Sequence, residues 1–322
     1  MPIIEVENLK KTFRVRTKKS SLFKSSYKNI NAVNNISFSV EPGECIAFIG
    51  PNGAGKSTTL KMLSAILSPT SGKISVLGLT PWENRQKLAY HIGAVFGQRS
   101  QLWYHLPAKE TFQLLAAVYD IPPTIYQKRL KKLIEEFQIQ EFIDKPVRSL
   151  SLGERIRCEI AASLLHDPQI LFLDEPTIGL DVSAKASIRE LLKRQAKEEN
   201  KTIILTSHDT GDMESVSKRV LMINHGKIVI DDTVKKLRQT HLKRKRLSIT
   251  TETKLPKIKL PGVRIVEESA LQSVLEIDTD QTPIGQVMQT LMSNTGILDL
   301  TVEDPPMEEI IKDIYAREAE ND

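Results

Sequence analysis

Cysteines and long apolar runs are scarce in this chain. The two cysteines, Cys45 and Cys158, each lie in an apolar segment, which is typical of small buried residues in a reducing compartment. No apolar stretch approaches the roughly 18–20 residues that a membrane-spanning helix needs. The first five residues lack a basic region followed by an apolar core, so we expect no secretion signal. These absences favour a cytoplasmic protein that does not cross a bilayer by itself.

Positive charge is concentrated in two segments. The 322 residues carry a net charge of +5, but residues 8–40 hold eight Lys or Arg and residues 233–251 hold seven, with no acidic residue in either segment. Without those fifteen charges the rest of the chain is acidic, at −10. A uniformly basic surface is therefore excluded, and we expect no nucleic-acid partner.

A glycine-rich loop that contains a lysine follows the short apolar run 44–49. After the loop, apolar residues have helical spacing as far as Ser68. The loop consists of Gly50, Pro51, Asn52, Gly53, Ala54, Gly55, Lys56, Ser57 and Thr58. Its glycines let backbone N–H groups converge on phosphate oxygens, the lysine reaches the terminal phosphates, and the first hydroxyl can bind Mg²⁺. The order of strand, glycine loop and helix predicts a site for ATP and Mg²⁺.

A second apolar run, residues 170–173, ends in two acidic residues. At the end of a strand Asp174 can hold Mg²⁺ through water, and Glu175 can polarise an attacking water. Two acids after a strand are also common in ordinary loops. The two acids therefore indicate a nucleotide site only in combination with the lysine loop.

Ser151-Leu152-Gly153-Glu154 lies between these elements, about 95 residues after the loop lysine. It resembles the signature motif of the ABC ATPase superfamily, and the resemblance covers residues 1 to about 235. The further matching positions are Phe13 for the aromatic that stacks on adenine, Gln98 for the glutamine loop, Gly179, Leu180 and Asp181 for the loop at the dimer interface, and His208 for the switch histidine.

The resemblance implies a head-to-tail homodimer with ATP between the subunits. Ser151 and Gly153, at a helix N-terminus, would cap the γ-phosphate held by the lysine loop of the other subunit. Leu152 and Glu154 replace the glycine and glutamine of the commonest signature. We expect a working site, in which a carboxylate near the phosphate could weaken the contact.

The resemblance also assigns roles at the phosphates. Glu175 would be the general base, and His208 would contact the γ-phosphate. Ser57, Asp174 and Gln98 would hold Mg²⁺, and the glutamine would also touch the adjoining helical region.

The region from about 99 to 160 is mostly helical and is interrupted at Pro122-Pro123. DNA-handling relatives would place long coiled coils here, whereas this length is similar to the helical subdomain that grips the permease in transporter ATPases. Trp103 and Tyr104 would then form a socket for a permease helix, or else belong to the core. A transporter function requires separate membrane permease subunits.

The basic insertion, about residues 14–31, resembles a loop in exporter ATPases related to sodium and drug exporters. Its interleaved aromatic and basic residues, such as Phe23 and Lys24, are consistent with contact with anionic lipid or with a solvated loop.

After residue 238 the pattern changes to short alternating strands and two amphipathic helices. The first of these helices would turn Ile284, Val287, Met288, Leu291 and Met292 inward. We predict an ABC nucleotide-binding domain at 1–238 and an α+β regulatory or dimer-stabilising domain at 239–322.

The predicted fold class is α/β, a P-loop NTPase with a RecA-like core, an antiparallel β subdomain and a helical signature subdomain. The predicted function is the ATP-hydrolysing subunit of an ABC transporter, in the exporter branch, peripheral on the inner face of the cell membrane. The alternatives are an importer subunit and a soluble ABC clamp that acts on ribosomes or DNA.

Overall fold

The computed structural model describes residues 1–16, 27–97, 100–241, 244–256 and 258–321. Gln98, Phe23, Lys24 and most of the basic insertion lie outside these ranges. The chain divides into two compact units, Met1–Asp232 and Thr233–Asp322, whereas the sequence placed a boundary at 238/239. Within the described ranges no helix combines the length and apolarity needed to cross a bilayer.

The strands of the first unit form two sheets. They are β1 (Ile4–Arg16), β2 (Tyr27–Val40), β3 (Cys45–Ile49), β4 (Ser71–Val76), β5 (Ile92–Phe96), β6 (Ile170–Asp174), β7 (Thr202–Ser207), β8 (Arg219–Asn224) and β9 (Lys227–Thr233). An antiparallel sheet has the order β2-β1-β4, and a six-stranded sheet has the order β5-β6-β7-β3-β8-β9. Strands β5, β6, β7, β3 and β8 are parallel.

The helices of the first unit are α1 (Lys56–Leu63), α2 (Arg85–Ala89), α3 (Ala108–Val118), α4 (Pro123–Phe137), α5 (Leu152–Leu164), α6 (Val182–Lys197) and α7 (Thr210–Val216). The central strands β3 and β7 are buried along their whole length, because parallel strands are covered on both faces. One apolar core joins the two sheets, with Phe48, Phe172 and Leu60 fully buried in it.

The second unit is an antiparallel sheet with helices. Its elements are α8 (Val234–His241), β10 (Arg244–Thr251), β11 (Val263–Glu268), β12 (Gln272–Asp278), α9 (Ile284–Asn294), β13 (Ile297–Glu303) and α10 (Met307–Asn321). The sheet order is β11-β12-β10-β13. Its core packs Leu247, Leu275 and Ile277 of the sheet against Val287 and Leu291 of α9.

Two local expectations differ from the structure. Helix α1 ends at Leu63, because Ala65 takes the left-handed conformation (φ 62°) and the Ile66 N–H turns back to Lys61 O at 2.9 Å. The predicted inward face of α9 was too wide, since Met292 is 65% exposed. The 100° spacing places Met292 at the edge of the stripe, where the sheet no longer covers it.

Candidate functional site

The site lies at the carboxyl edge of the parallel sheet, where three neighbouring strands end. In β3, Ile49 pairs with Ser207 of β7, and in β6 Asp174 pairs with Thr206. Because parallel strands end at the same edge, the lysine loop after β3, the acids after β6 and His208 after β7 are brought together. In the sequence, more than a hundred residues separate the lysine loop from the acids, and His208 follows Glu175 by 33 residues.

The lysine loop wraps closely around its own side chain. Lys56, 5% exposed, donates to Gly50 O at 2.7 Å and to Pro51 O at 3.2 Å. A Cβ at Gly50 would lie 2.3 Å from Ile223 O. Gly55 precedes α1 with φ 111°, and a Cβ there would lie 2.4 Å from Ala32 O. Both glycines are thus required by close backbone contacts.

Burial lowers the pKa of the Lys56 ammonium, while Glu175 and Asp174 act in the opposite direction. Lys56 Nζ lies 3.8 Å from Glu175 Oε1. A partly desolvated cation held by loop carbonyls suits an incoming phosphate, which would replace those carbonyls as the acceptor.

Asp174 is surrounded by hydroxyl donors. Ser57 Oγ donates to Asp174 Oδ1 at 2.8 Å, and Thr206 Oγ1 donates to the same oxygen at 2.7 Å. Mg²⁺ prefers oxygen ligands and retains several waters, so a hydroxyl and a carboxylate side by side fit it. Among the described residues no group of three or more His, Cys, Asp or Glu is placed to hold a metal ion.

Glu175 is held in an uncommon backbone conformation, with Lys56 on one side of its carboxylate and His208 on the other. Its φ is 53°, and its N–H donates to Thr206 O at 3.1 Å and to Thr206 Oγ1 at 3.0 Å. Its carboxylate lies between Lys56 and His208, whose Nδ1 is 3.7 Å from Glu175 Oε2. The glutamate side chain is 20% exposed and the histidine 55%, so both reach the open side of the site. A cleft of about 710 Å³ there is lined by Asn52, Ser57, Lys61, Ile66, Phe96, Gly97, Asp174, Glu175 and Ile178.

The signature segment begins helix α5 with a capping box. Ser151 is the N-cap: its Oγ accepts from Glu154 N at 3.2 Å, and its N–H donates to Glu154 Oε2 at 2.7 Å. Because the hydroxyl accepts here, its proton is left for another acceptor. The Glu154 carboxylate therefore caps its own helix, and this capping explains why a glutamate can stand at this position of the signature.

The signature touches the predicted dimer loop of the same chain. A Cβ on Gly179 (φ 74°) would lie 3.2 Å from Leu152 Cδ2, and a Cβ on Gly153 would lie 3.2 Å from Ala184 Cβ. Leu180 is buried, and Asp181 caps α6 by accepting from Ala184 N at 2.9 Å. The two predicted interface motifs therefore support each other before any second subunit binds.

Phe13 is 37% exposed on β1, opposite Ile30 of β2. Two residues beyond Ile30, Ala32 touches Gly55 of the lysine loop, so the β1–β2 hairpin lies beside the phosphate end of the site. Gln98 lies outside the described residues, two positions after Phe96 of the cleft.

Two residues at or near the site, Thr206 and Glu159, were not predicted from the sequence. Thr206 bonds both Asp174 and Glu175, and hydroxyls at the end of an apolar run were the signal that could have identified it. Glu159 of α5 is 3% exposed and accepts from Ser100 Oγ and Gln101 N just after the glutamine position. Burial raises the pKa of Glu159, although those hydrogen bonds lower it. The sequence around Glu159 has an ordinary helical pattern and did not indicate that this carboxylate binds the segment after Gln98.

The chain is similar to known proteins over the segment that contains most of these residues. Residues 33–178 match the family model described as ABC transporter. The chain is 33% identical over 210 residues to ABC transporter ATP-binding protein NatA of Bacillus subtilis (strain 168), covering 65% of this chain and 85% of NatA. The chain belongs to the ABC transporter family. The expectation of an ATP-binding ATPase of this family is thereby confirmed.

Two further comparisons extend this. The chain is 34% identical over 226 residues to Nod factor export ATP-binding protein I of Ralstonia nicotianae, covering 70% of this chain but 65%, less than two thirds, of that protein. A dimeric, post-hydrolysis structure of the ATP-binding cassette MJ0796 bound to ADP and Pi matches with a TM-score of 0.61 and 25% identity, covering 72% of this chain and 98% of that one. The expected P-loop ATPase fold is confirmed by this similarity.

Proposed function

We propose that the chain is the ATP-hydrolysing subunit of an exporter and works as a homodimer with ATP between its subunits. The main support for this proposal is a cluster of side chains at one edge of the parallel sheet. They are Lys56, Ser57, Asp174, Glu175 and His208. The dimeric cassette MJ0796 and the Nod factor export protein support the dimer and the direction of transport.

In this proposal Glu175 is the general base, and His208 contacts the γ-phosphate. Ser57 and Asp174, with Gln98, hold Mg²⁺, which neutralises charge on the phosphates. Residues 50–58 bind the phosphates, and Phe13 stacks on adenine. Ser151 and Gly153 cap the γ-phosphate bound by the other subunit, with α5 adding its positive N-terminal dipole.

Glu175→Gln tests the base. We expect the variant to form an ATP-dependent dimer on gel filtration while its turnover falls about 100-fold or more, because water is no longer polarised. Glu190→Gln is the matched control, since that carboxylate is 56% exposed on α6 and pairs there with Lys193 and Arg194. Normal turnover by a dimerising Glu175→Gln protein would contradict the role.

Mixing two damaged chains tests the composite site. With Glu175→Gln in both, a Lys56→Ala chain and a Ser151→Arg chain are each expected to fail to trap ATP. A heterodimer would combine both lesions in one site and leave the other intact, so mixing should restore one trapped ATP per dimer. Equal failure before and after mixing would argue that each chain forms its own site.

Coupling requires separate permease subunits, and we propose that they dock on the helical region through Trp103 (48% exposed) and Tyr104 (55% exposed). The subunit would then be cytoplasmic and peripheral on the inner face of the membrane. Capture from solubilised membranes should recover a multi-helix permease with the wild type and less with Trp103→Ala. Recovery of ribosomes, or of a substrate-binding protein with the permease, would favour the clamp or the importer.

We further propose that the basic insertion contacts anionic lipid and that the second unit stabilises the dimer. Arg14 lies over the Tyr27 ring at 4.2 Å, an amphipathic pair suited to headgroups. Arg14→Gln should weaken flotation with vesicles containing anionic lipid and not with neutral ones. On the edge strand β13, Leu298 is 61% exposed, and Leu298→Lys should weaken the dimer more than Met292→Lys.

A further inference from the structure

A buried carboxylate links the segments that carry the two reacting side chains. Asp212 of α7 is 1% exposed, and its Oδ1 accepts from Arg189 Nε at 2.7 Å. Its Oδ2 accepts from Ser207 Oγ at 2.7 Å and also from Thr177 Oγ1. Four segments, the loop after β6, helix α6, the end of β7 and helix α7, therefore meet at one carboxylate.

A second acid extends this cluster. Asp209, the N-cap of α7, accepts from Gly211 N at 2.8 Å, from Arg189 Nη2 at 2.9 Å and from Lys185 Nζ at 2.5 Å. Its own N–H donates to Ser207 Oγ at 2.9 Å. Arg189 thus bridges both acids in a two-pronged geometry that lysine could not reproduce.

The cluster holds the chain around the reacting groups without touching them. Ser207 and Asp209 are the two neighbours of His208, and Thr177 follows Glu175 by two residues. The His208 ring is left 55% exposed, with Nδ1 3.7 Å from Glu175 Oε2. Because the His208 ring is so exposed, its position depends mainly on the backbone on either side of it. The cluster fixes that backbone.

We propose that Asp212 and Arg189 are positioning residues for ATP hydrolysis, which set the placement of His208 relative to Glu175. This inference rests on the proposed roles of Glu175 and His208. A displacement of about 1 Å at a reacting group costs up to about 100-fold in rate, so loss of the cluster is expected to act on turnover.

The primary variant is Asp212→Asn, which keeps the shape and removes the charge that pairs with Arg189. We expect kcat to fall about 10- to 100-fold, while KM for ATP and the ATP-dependent dimer change less than about threefold. Asp167→Asn is the matched control, because Asp167 also pairs with two cations, Arg129 and Lys201, away from the site. It should leave kcat unchanged.

A double variant separates positioning from general damage. If Asp212 acts through His208, then Asp212→Asn should cost less than about twofold when added to His208→Ala. An undiminished loss in that background, or wild-type kcat for Asp212→Asn alone, would overturn the inference. If Glu175→Gln and His208→Ala both keep wild-type turnover, the proposed function fails instead.

Gly211→Ala keeps the test decisive if Asp212→Asn does not fold. A Cβ at Gly211 would lie 2.7 Å from Arg189 Nη2, so the added methyl displaces the guanidinium without removing a charge. Helix propensity favours alanine here, so the fold should be retained while kcat falls. A folded Gly211→Ala protein with wild-type kcat would also overturn the inference.

Discussion

Ser151 and Glu154 hydrogen-bond each other twice at the start of α5, each backbone N–H donating to the other's side chain at 2.7 Å and 3.2 Å. The glutamate that departs from the commonest signature is thus part of the cap. Its carboxylate also lies at the positive end of the helix dipole, where it is stabilising. The sequence alone left open whether this charge would weaken a phosphate contact.

Glu154→Ala should lower the free energy of unfolding by about 1 kcal/mol, because one N-terminal N–H loses its acceptor. Glu154→Gln should lose less, since glutamine also closes a capping box. Urea unfolding measures both, with the exposed Glu141→Ala as control. Equal losses in the alanine and glutamine variants would mean that the reciprocal hydrogen bond contributes little.

The site residues that could be predicted from the sequence lie near the ends of apolar strands. Lys56, Asp174 and Glu175 could be predicted because each lies at or soon after the end of a buried strand, and parallel strands bring their ends together. Asp212 and Arg189 were not found, because an acid and a base on two amphipathic helices have the same pattern as a solvated face. The packing of α6 against α7 shows that Asp212 is buried and that Arg189 pairs with it.

His166 should make stability depend on pH. Burial lowers its pKa to about 4, while its Nε2 lies 2.9 Å from Ile92 O and its ring stacks on Tyr119 at 3.9 Å. The unfolded imidazole protonates below about 6.5 and the folded one does not, so its stabilisation is complete above pH 6.5 and is lost as the pH falls toward 4.

His166→Phe keeps the ring and removes the titration. Between pH 7 and pH 4.5 the wild type should lose up to about 3 kcal/mol more than this variant, as measured by urea unfolding at several pH values. Parallel curves for wild type and His166→Phe would contradict the prediction.

Gly50→Ala should abolish ATP binding and cost more than about 2 kcal/mol, because its Cβ would lie 2.3 Å from the Ile223 carbonyl oxygen, which is backbone and cannot rotate away. Gly78→Ala is the control: it has φ 73° but open space around a Cβ, so about 1 kcal/mol is expected. Thermal unfolding and binding of a fluorescent ATP analogue distinguish a crowded position from a merely strained one.

The two thiols should be inert in the folded chain. Burial raises the pKa of Cys45 and of Cys158 to about 12, and neither side chain is more than 5% exposed. Because the thiolate is the nucleophile, a disulfide reagent should react with them only as fast as the protein unfolds. Reaction within seconds in native buffer would contradict this burial.

Because the two native thiols are expected not to react, one added cysteine can report on closure of the dimer. Val182 directly follows Asp181 of the predicted interface loop and is 86% exposed, so Val182→Cys should react rapidly in the nucleotide-free protein. In a Glu175→Gln chain saturated with ATP, closure of the dimer over this loop should slow the reaction by about tenfold or more, since the thiol is covered. Met292→Cys, exposed in the second unit, serves as the control for a general effect of ATP on the reagent. Unchanged labelling of Val182→Cys in an ATP-trapped dimer would place this loop outside the interface, and the assignment of Gly179, Leu180 and Asp181 would fall with it.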